Sequence, residues 1–407
     1  MAQGIIIIVE SYVRWIFFSR MQKAMEQLGV RLLYFTTCPS VYFSAKKAGA
    51  DIKMLALNNT AFNGSMEPEC YENTLDVKSG ELSRASAQKV ARSIYANLLA
   101  ANKSMNADTL FIYNGTTILG AVATQFARDQ GLKTLFFELA NLPGKMFVDP
   151  EGIGGFSRLY RSTSILKNYT CNLKEFETWR RSFIAEKLNN SNVPQVVFGK
   201  SSMQDYLFYT GDKLYFAFLT KEPIKYILNY GDKFSKAFSK HVALQYDSSE
   251  SFAHTSYIFF PMQVSHDSQI LIHSNFDNFT AIKKAYSLSR KMGANLVVKP
   301  HPAETDREYL GKVYNLKRQL GFYLVSDNTI KLIQNAQAII TINSTVGLEA
   351  KIMKRNVYVL GRAIYANFDE NMLASYVMKY LLNINYFSFD PISTDTACLL
   401  LERADIC

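Results

Sequence analysis

The stretch NLVVKPHPAETDREYLGKVYNLKRQLGFYLVS (295–326) decides the fold. It opens on an apolar run, NLVVKP (295–300), that does not alternate with polar residues. Such a run reads as a strand buried on both faces. TDREYLGKVYNLKRQLG (305–321) then follows the spacing of an amphipathic helix and stops at Gly321, and FYLVS (322–326) is a second apolar strand. A strand, a helix and a strand in this order make a parallel pair joined by a crossover helix. Lys299, Pro300, His301 and Pro302 then fall just past the carboxyl end of the first strand.

The same alternation extends outward from this stretch. On its amino-terminal side lie a strand at YIFFPMQ (257–263) and a helix at FTAIKKAYSLSRKMG (279–293). On the other side come TIKLIQNA (329–336, helix), QAIITIN (337–343, strand), STVGLEAKIMK (344–354, helix) and NVYVLG (356–361, strand). The first third of the chain repeats the pattern. GIIIIVE (4–10), VRLLYFT (30–36), DTLFIYN (108–114) and LKTLFFE (132–138) read as buried strands. SRMQKAMEQLG (19–29), SRASAQKVARSIYANLLAANK (83–103) and TILGAVATQFARDQG (117–131) read as helices. The expected architecture is α/β: two Rossmann-like, doubly wound domains facing a central cleft, with ligands at the carboxyl ends of the strands. The expected division is an amino-terminal domain over 1–160, a basic and aromatic helical connection over 161–255, a second Rossmann-like domain over 256–365 and a helical tail over 366–407.

With 407 residues, 48% of them apolar, the chain has material for two cores. Its net charge of +10 points to an anionic partner: nucleotide phosphates, an acidic sugar, a membrane surface or a nucleic acid. Lys and Arg are spread over the whole chain and no nucleic-acid-binding signature is present, so nucleic acid is the least supported of these. Five scattered cysteines without a C-x-x-C pair suit reduced thiols in a cytosolic protein. Structural zinc is not expected, nor any cofactor. GIIIIVESYVR is too short for a signal core with a cleavage site, and no segment holds the roughly 20 apolar residues of a spanning helix. Membrane contact is therefore expected to be peripheral.

Three strand ends carry candidate chemistry. PMQVSHDSQI (261–270) offers Gln263, Asp267 and Gln269; Asp267 suits a nucleophile or general base, although capping of a helix accounts for the same residue. VVKPHP delivers Lys299 and His301, the imidazole held between two prolines of fixed φ. AIITINSTVGLEA (338–350) runs a strand into Asn343, Ser344, Thr345 and Gly347 at a helix start, where backbone N–H groups attract a phosphate or carboxylate. Gly347 is expected to let the backbone approach such a ligand. Together they suit a nucleotide-activated sugar, whose leaving group is a phosphate. A Ser-His-Asp hydrolase is not supported, because no G-x-S-x-G is present.

MQVSHDSQI, VVKPHP and ITINSTVGLEA, in this order, resemble the bacterial capsule-polysaccharide β-Kdo transferases, and GRAIY (361–365) fits the same pattern. These are retaining glycosyltransferases of GT-B architecture that use CMP-Kdo. The likeness is greatest to the branch that starts the capsule linker on phosphatidylglycerol. The resemblance implies that Asp267 is the nucleophile, that His301 contacts the CMP phosphate and that Ser344 and Thr345 hold the nucleotide. It places the catalytic Glu of an F-E pair on Glu138, in LFFELANLPGKMFVDPEGIGGFS (135–157). The residues after that Glu, Leu139 to Pro143, depart from the family pattern, and a glycan acceptor in place of a lipid fits the change.

The donor thus expected is CMP-Kdo, with CMP-sialic acid or a UDP-sugar as the alternative within GT-B enzymes. The expected acceptor is a lipid of phosphatidylglycerol type or a glycan. The expected location is the cytoplasmic face of the inner membrane, within a capsule assembly complex. The segment 204–242, where Tyr and Phe alternate with Lys, reads either as a surface for anionic headgroups or as a helical pair that buries its aromatics.

Overall fold

A computed structural model of the chain describes residues 4–405 except 58–61, 63, 141, 190–202, 222–244 and 253. In chain order the principal elements begin with β1 (Gly4–Ile8), α1 (Tyr12–Ser19), α2 (Gln22–Gln27), β2 (Arg31–Thr36), α3 (Pro39–Lys47) and β3 (Ile52–Met54). Next come α4 (Arg84–Met105), β4 (Thr109–Tyr113), α5 (Ile118–Asp129), β5 (Lys133–Leu139), β6 (Met146–Asp149), α6 (Leu173–Asn189) and α7 (Met203–Thr220). They continue through β7 (Tyr257–Pro261), α8 (Ser268–Leu271), α9 (Asn278–Lys291), β8 (Asn295–Lys299), α10 (Arg307–Leu320), β9 (Tyr323–Leu324) and α11 (Thr329–Asn335). β10 (Ala338–Thr341), α12 (Thr345–Ile352), β11 (Val357–Val359), α13 (Glu370–Ser375) and α14 (Thr394–Arg403) complete the series. These elements form two compact units.

Unit 1 holds residues up to Arg158, helix α7 and the segment after Tyr380. Its sheet runs β3-β2-β1-β4-β5-β6, the strand order of a doubly wound dinucleotide-binding fold. Five strands are parallel, and β6 returns antiparallel to β5. The apolar runs behave as their sequence demands: every residue of β1 and β4 is buried. Phe137 meets Phe18 and Phe111 at ring centroids of 5.3 Å each. Each fully buried side chain of this kind contributes about 1.5–3 kcal/mol.

The structure departs from the sequence reading at three places in this unit. The strand that was expected to reach residue 10 stops at Ile8, because Ser11 caps α1 by accepting from the Arg14 amide at 3.4 Å. The helix expected over 19–29 is split, since the Arg20 carbonyl accepts from the Ile392 amide (2.9 Å) and not from within a helix. The antiparallel β6 was unforeseen. A turn with Gly144 at φ 68° sends the chain back along β5.

The tail expected over 366–407 is not one piece. Leu381–Cys407 belongs to unit 1, where the Leu382 and Met146 backbones exchange hydrogen bonds (2.9 and 3.0 Å) and Arg403 donates to the Val148 carbonyl at 3.0 Å. Residues 366–380 belong to unit 2. Likewise the connection expected over 161–255 divides: α6 lies in unit 2 and α7 in unit 1. Its portion over 222–242 lies outside the described residues.

Unit 2 has the sheet β11-β10-β7-β8-β9, all parallel, with its first strand β7 in the centre. Ile258, Phe260, Leu296 and Val298 pack on one face against Ala281 and Ile282 of α9 and Val313 of α10. Phe259, Val297 and Ile339 pack on the other, against Ile330 and Ile333 of α11. Both faces are covered, which is why these strands carry no polar alternation. α6 is tied to this unit by Lys187, which pairs with the buried Glu349 of α12 at 2.7 Å, and by Arg180, which pairs with Glu177 and Glu370.

Candidate active site

The carboxyl ends of β10, β7 and β8 are neighbours at the centre of the unit 2 sheet, and strand order reverses between β10 and β7. Such a switch point opens a crevice at the strand ends. Past β7, Gln263 is buried and fixed by Asn278. Its amide donates to Asn278 Oδ1 (3.1 Å), and its carbonyl accepts from Asn278 Nδ2 (2.7 Å). The chain then turns, and Asp267 caps the short helix α8, its Oδ1 accepting from the Gln269 amide at 2.9 Å. Capping and an exposed carboxylate coexist: Asp267 is exposed, and among the described residues Oδ2 accepts no hydrogen bond.

Past β8, His301 Nδ1 accepts from the Ala303 amide at 3.1 Å. That bond is possible only when Nδ1 is bare, so the ring carries its proton on Nε2. Burial lowers the pKa of His301, against the pull of the nearby Asp267 and Glu304 carboxylates. The imidazole is therefore neutral at pH 7 and offers one N–H, with Asp267 within electrostatic reach. Glu304, unremarked in the sequence, joins the two loops. Its Oε2 accepts from the Ser265 amide and its Oε1 from the Asp306 amide, both at 2.9 Å, and it is buried. No spacing rule marks Glu304, because its two partners are backbone groups of separate loops.

Lys299, the other candidate in VVKPHP, is bonded within unit 2. Its ammonium donates to the Asp327 carbonyl (2.6 Å) and Thr329 Oγ1 (2.8 Å), tying β8 to the start of α11. Burial also lowers its pKa.

Past β10, Asn343 is buried and bonds back to the β7 loop. Its Oδ1 accepts from Gln263 Nε2 (2.9 Å), its amide donates to Gln263 Oε1 (3.3 Å) and its Nδ2 donates to the Gln269 carbonyl (2.8 Å). Gln263 and Asn343 are thus scaffold for the loop that carries Asp267. Ser344 caps α12, its hydroxyl accepting from the Val346 amide at 3.2 Å, and Thr345 opens the helix half-exposed. Gly347 has a different reason from the expected one. A side chain there would collide with the ring of Tyr365, whose Cε2 and Cζ lie 2.8 Å from an added Cβ; the Tyr365 hydroxyl donates to the Ser344 carbonyl. Gly347 makes room for Tyr365, a residue of the GRAIY segment. The buried ring of His273 is held down to a pKa of about 4 by desolvation and by Arg362.

Glu138 lies in unit 1, half-buried near the end of β5. Unit 1 also has a switch point, between β1 and β4. There the start of α5 is filled by the chain's own carboxyl groups, with Asp76 Oδ2 accepting from the Ile118 amide at 2.7 Å. Glu10 accepts from Thr117 Oγ1 and pairs with Arg14. Burial pushes its carboxyl up to about 7, although Arg14 opposes the shift. In unit 2, among the described residues, Ser344, Thr341 and Tyr365 bond the start of α12, and none of them is a carboxylate. Among the described residues no group of three or more His, Cys, Asp or Glu side chains is placed to hold a metal ion, and no helix is long and apolar enough to cross a membrane.

Two doubly wound units, the second with Gln263 and Asn343 bonded across the β7–β10 switch point, define an α/β protein of the two-domain Rossmann-like class. The chain belongs to the capsule polysaccharide biosynthesis protein family, whose model matches residues 143–368, more than half of its length. It is 33% identical over 114 residues to the capsule polysaccharide export protein KpsS of Escherichia coli, covering 26% of this chain and 29% of that protein. It is 29% identical over 132 residues to the capsule polysaccharide modification protein LipB of Neisseria meningitidis serogroup B, covering 28% and 31%. The match thus spans less than a third of either relative. Among solved structures, the KpsC beta Kdo 2,7 transferase of Thermosulfurimonas dismutans is 15% identical, with a TM-score of 0.41, covering 76% of this chain and 89% of that one.

Proposed function

We propose that the protein is a retaining glycosyltransferase of capsule biosynthesis that moves Kdo from CMP-Kdo to a lipid or glycan acceptor. Family membership supports the capsule setting. The observation that supports the chemistry is the exposed Asp267 carboxylate on a loop that Glu304 ties to the His301 loop and Asn343 ties to the start of α12. Asp267 attacks the anomeric carbon of Kdo while the bond from that carbon to the CMP phosphate oxygen breaks, and the electron pair leaves with CMP. His301 Nε2–H and the N-terminus of α12 stabilise the departing phosphate by hydrogen bonding, a role that a neutral imidazole fills without added charge. An acceptor hydroxyl then displaces Asp267, which restores the original configuration.

The reaction requires no metal or cofactor in this scheme. We place the protein peripherally at the cytoplasmic face of the inner membrane, where a phosphatidylglycerol-type acceptor and a capsule assembly complex would be reached. The test is release of CMP from CMP-Kdo with acceptor present. Asp267→Asn is expected to lower turnover by about a thousandfold or more, with CMP still raising the melting temperature. Near-normal turnover in that variant would overturn the assignment. Stabilisation by UDP and not by CMP would replace the donor with a UDP-sugar.

A further inference from the structure

The chain leaves the carboxyl ends of the unit 2 strands through residues 262–277, 300–306, 325–328, 342–344 and 360–369. These segments contain a single Lys or Arg, Arg362. Most of their acids are engaged at helix starts: Asp267, Asp277, Asp306 and Asp369 cap the helices that follow them. Lys299, the last residue of β8, gives its ammonium to Asp327 and Thr329. Arg362 is therefore the cation that the strand-end segments themselves contribute.

The loop that carries Arg362 is bonded to the end of β10 and the start of α12. The Leu360 and Gly361 amides donate to the Thr341 and Ile342 carbonyls at 2.8 Å each, and the Tyr365 hydroxyl donates to the Ser344 carbonyl. Lys351 of α12 donates to the Phe368 carbonyl at 3.0 Å. Arg362 thus has a bonded residue on either side of it. Gly361 fixes the approach. A Cβ there would stand 2.9 Å from Ile342 Cγ2, 3.1 Å from the Ile342 carbonyl oxygen and 3.2 Å from Ser274 Oγ. Only a residue without a side chain lets the backbone before Arg362 pass so close to β10 and to the loop that follows α8. Arg362 itself is half-buried.

We propose that Arg362 recognises the charge of the donor: its guanidinium receives an anionic group of the nucleotide-activated sugar at the start of α12. The proposal rests on the proposed donor and names the residue that reads it. A guanidinium presents five N–H donors in one plane and holds phosphate or carboxylate oxygens in pairs, to which the first amides of α12 add. CMP-Kdo brings both groups, a phosphate ester and a carboxylate on the anomeric carbon. The phosphate gains negative charge as CMP departs, so a fixed cation beside it favours departure.

Calorimetric titration of the full chain with CMP and with cytidine, joined to turnover of CMP-Kdo, tests this and separates the two anions. Arg362→Gln is expected to weaken one anionic contact by about tenfold to a hundredfold. Weaker CMP with unchanged cytidine assigns the phosphate. Unchanged CMP with a raised KM for CMP-Kdo assigns the sugar carboxylate. Arg362→Lys keeps the charge without the fork and is expected to fall between wild type and Arg362→Gln. Circular dichroism and the urea midpoint are expected to stay as in wild type. An Arg362→Gln protein that matches wild type in CMP affinity and in KM, or that loses cytidine as much as CMP, overturns the role of Arg362 and leaves the proposed function standing. Wild-type protein that binds UDP and not CMP overturns the donor instead, and UDP against uridine then reads Arg362 in the same variants. Wild-type protein that binds no nucleotide overturns both.

Discussion

Asn343→Ala probes the junction that holds the candidate nucleophile. Asn343 and Gln263 are both buried, and the substitution removes two side-chain hydrogen bonds at once. It leaves Gln263 Nε2 without its acceptor and the Gln269 carbonyl without its donor. Orphaning the buried Gln263 amide costs about 1–3 kcal/mol and losing the half-buried bond to the Gln269 carbonyl about 1 kcal/mol, so unit 2 is expected to lose about 2–4 kcal/mol. The chain offers a clean reporter, because its two tryptophans fall one to each unit. Trp15 is buried in unit 1, and Trp179 stacks between Phe176 and Phe183 in unit 2 at 5.7 and 5.1 Å. In a Trp15→Phe background, urea unfolding followed by fluorescence reads unit 2 alone. A cycle with Gln263→Ala is expected to show a coupling of about 1 kcal/mol or more. A loss below about 0.5 kcal/mol, or strict additivity in the cycle, would refute the view that this amide pair holds the Asp267 loop.

Gly347→Ala forces an added methyl into the Tyr365 ring and is expected to cost about 1–3 kcal/mol in the same unfolding assay; an unchanged midpoint would show that Tyr365 can move aside. Acid should weaken unit 2 through His273, whose pKa falls from 6.5 to about 4 on folding. The unfolded state binds the proton more readily, so this contribution is full above pH 6.5 and is lost as pH falls toward 4. It amounts to about 2 kcal/mol between pH 7 and pH 5. His273→Gln is expected to remove that slope, and a variant with the wild-type pH dependence would show that other groups carry it.

Much of the fold was legible in the residues. GIIII, YIFFP and AIIT are buried as runs without alternation, and the helices between them end where local chemistry ends them. Gly321 closes α10 in the left-handed region, and Asp277 with Thr280 forms a capping box at α9. The neighbourhood of the candidate residues was legible in part for the same reason: β10, β7 and β8 are adjacent in the sheet, so the loops that follow them lie side by side. The partners of each residue were not legible. The run LVVK shows Lys299 at a strand end but not that its ammonium meets Asp327 and Thr329. Gly347 reads as a backbone approach until Tyr365, eighteen residues later, is found against it.

The amino-acid sequence by itself determined the element types, the parallel sheets and the strand ends at which chemistry gathers, because these follow from local apolar pattern and capping. Only the tertiary structure decided that the tail divides between the units, that Glu304 and Asn343 bind the loops together and that His301 is neutral with its proton on Nε2. Those outcomes depend on which distant backbone groups and side chains meet, and on the desolvation that the meeting imposes; neither is written in the spacing of residues along the chain.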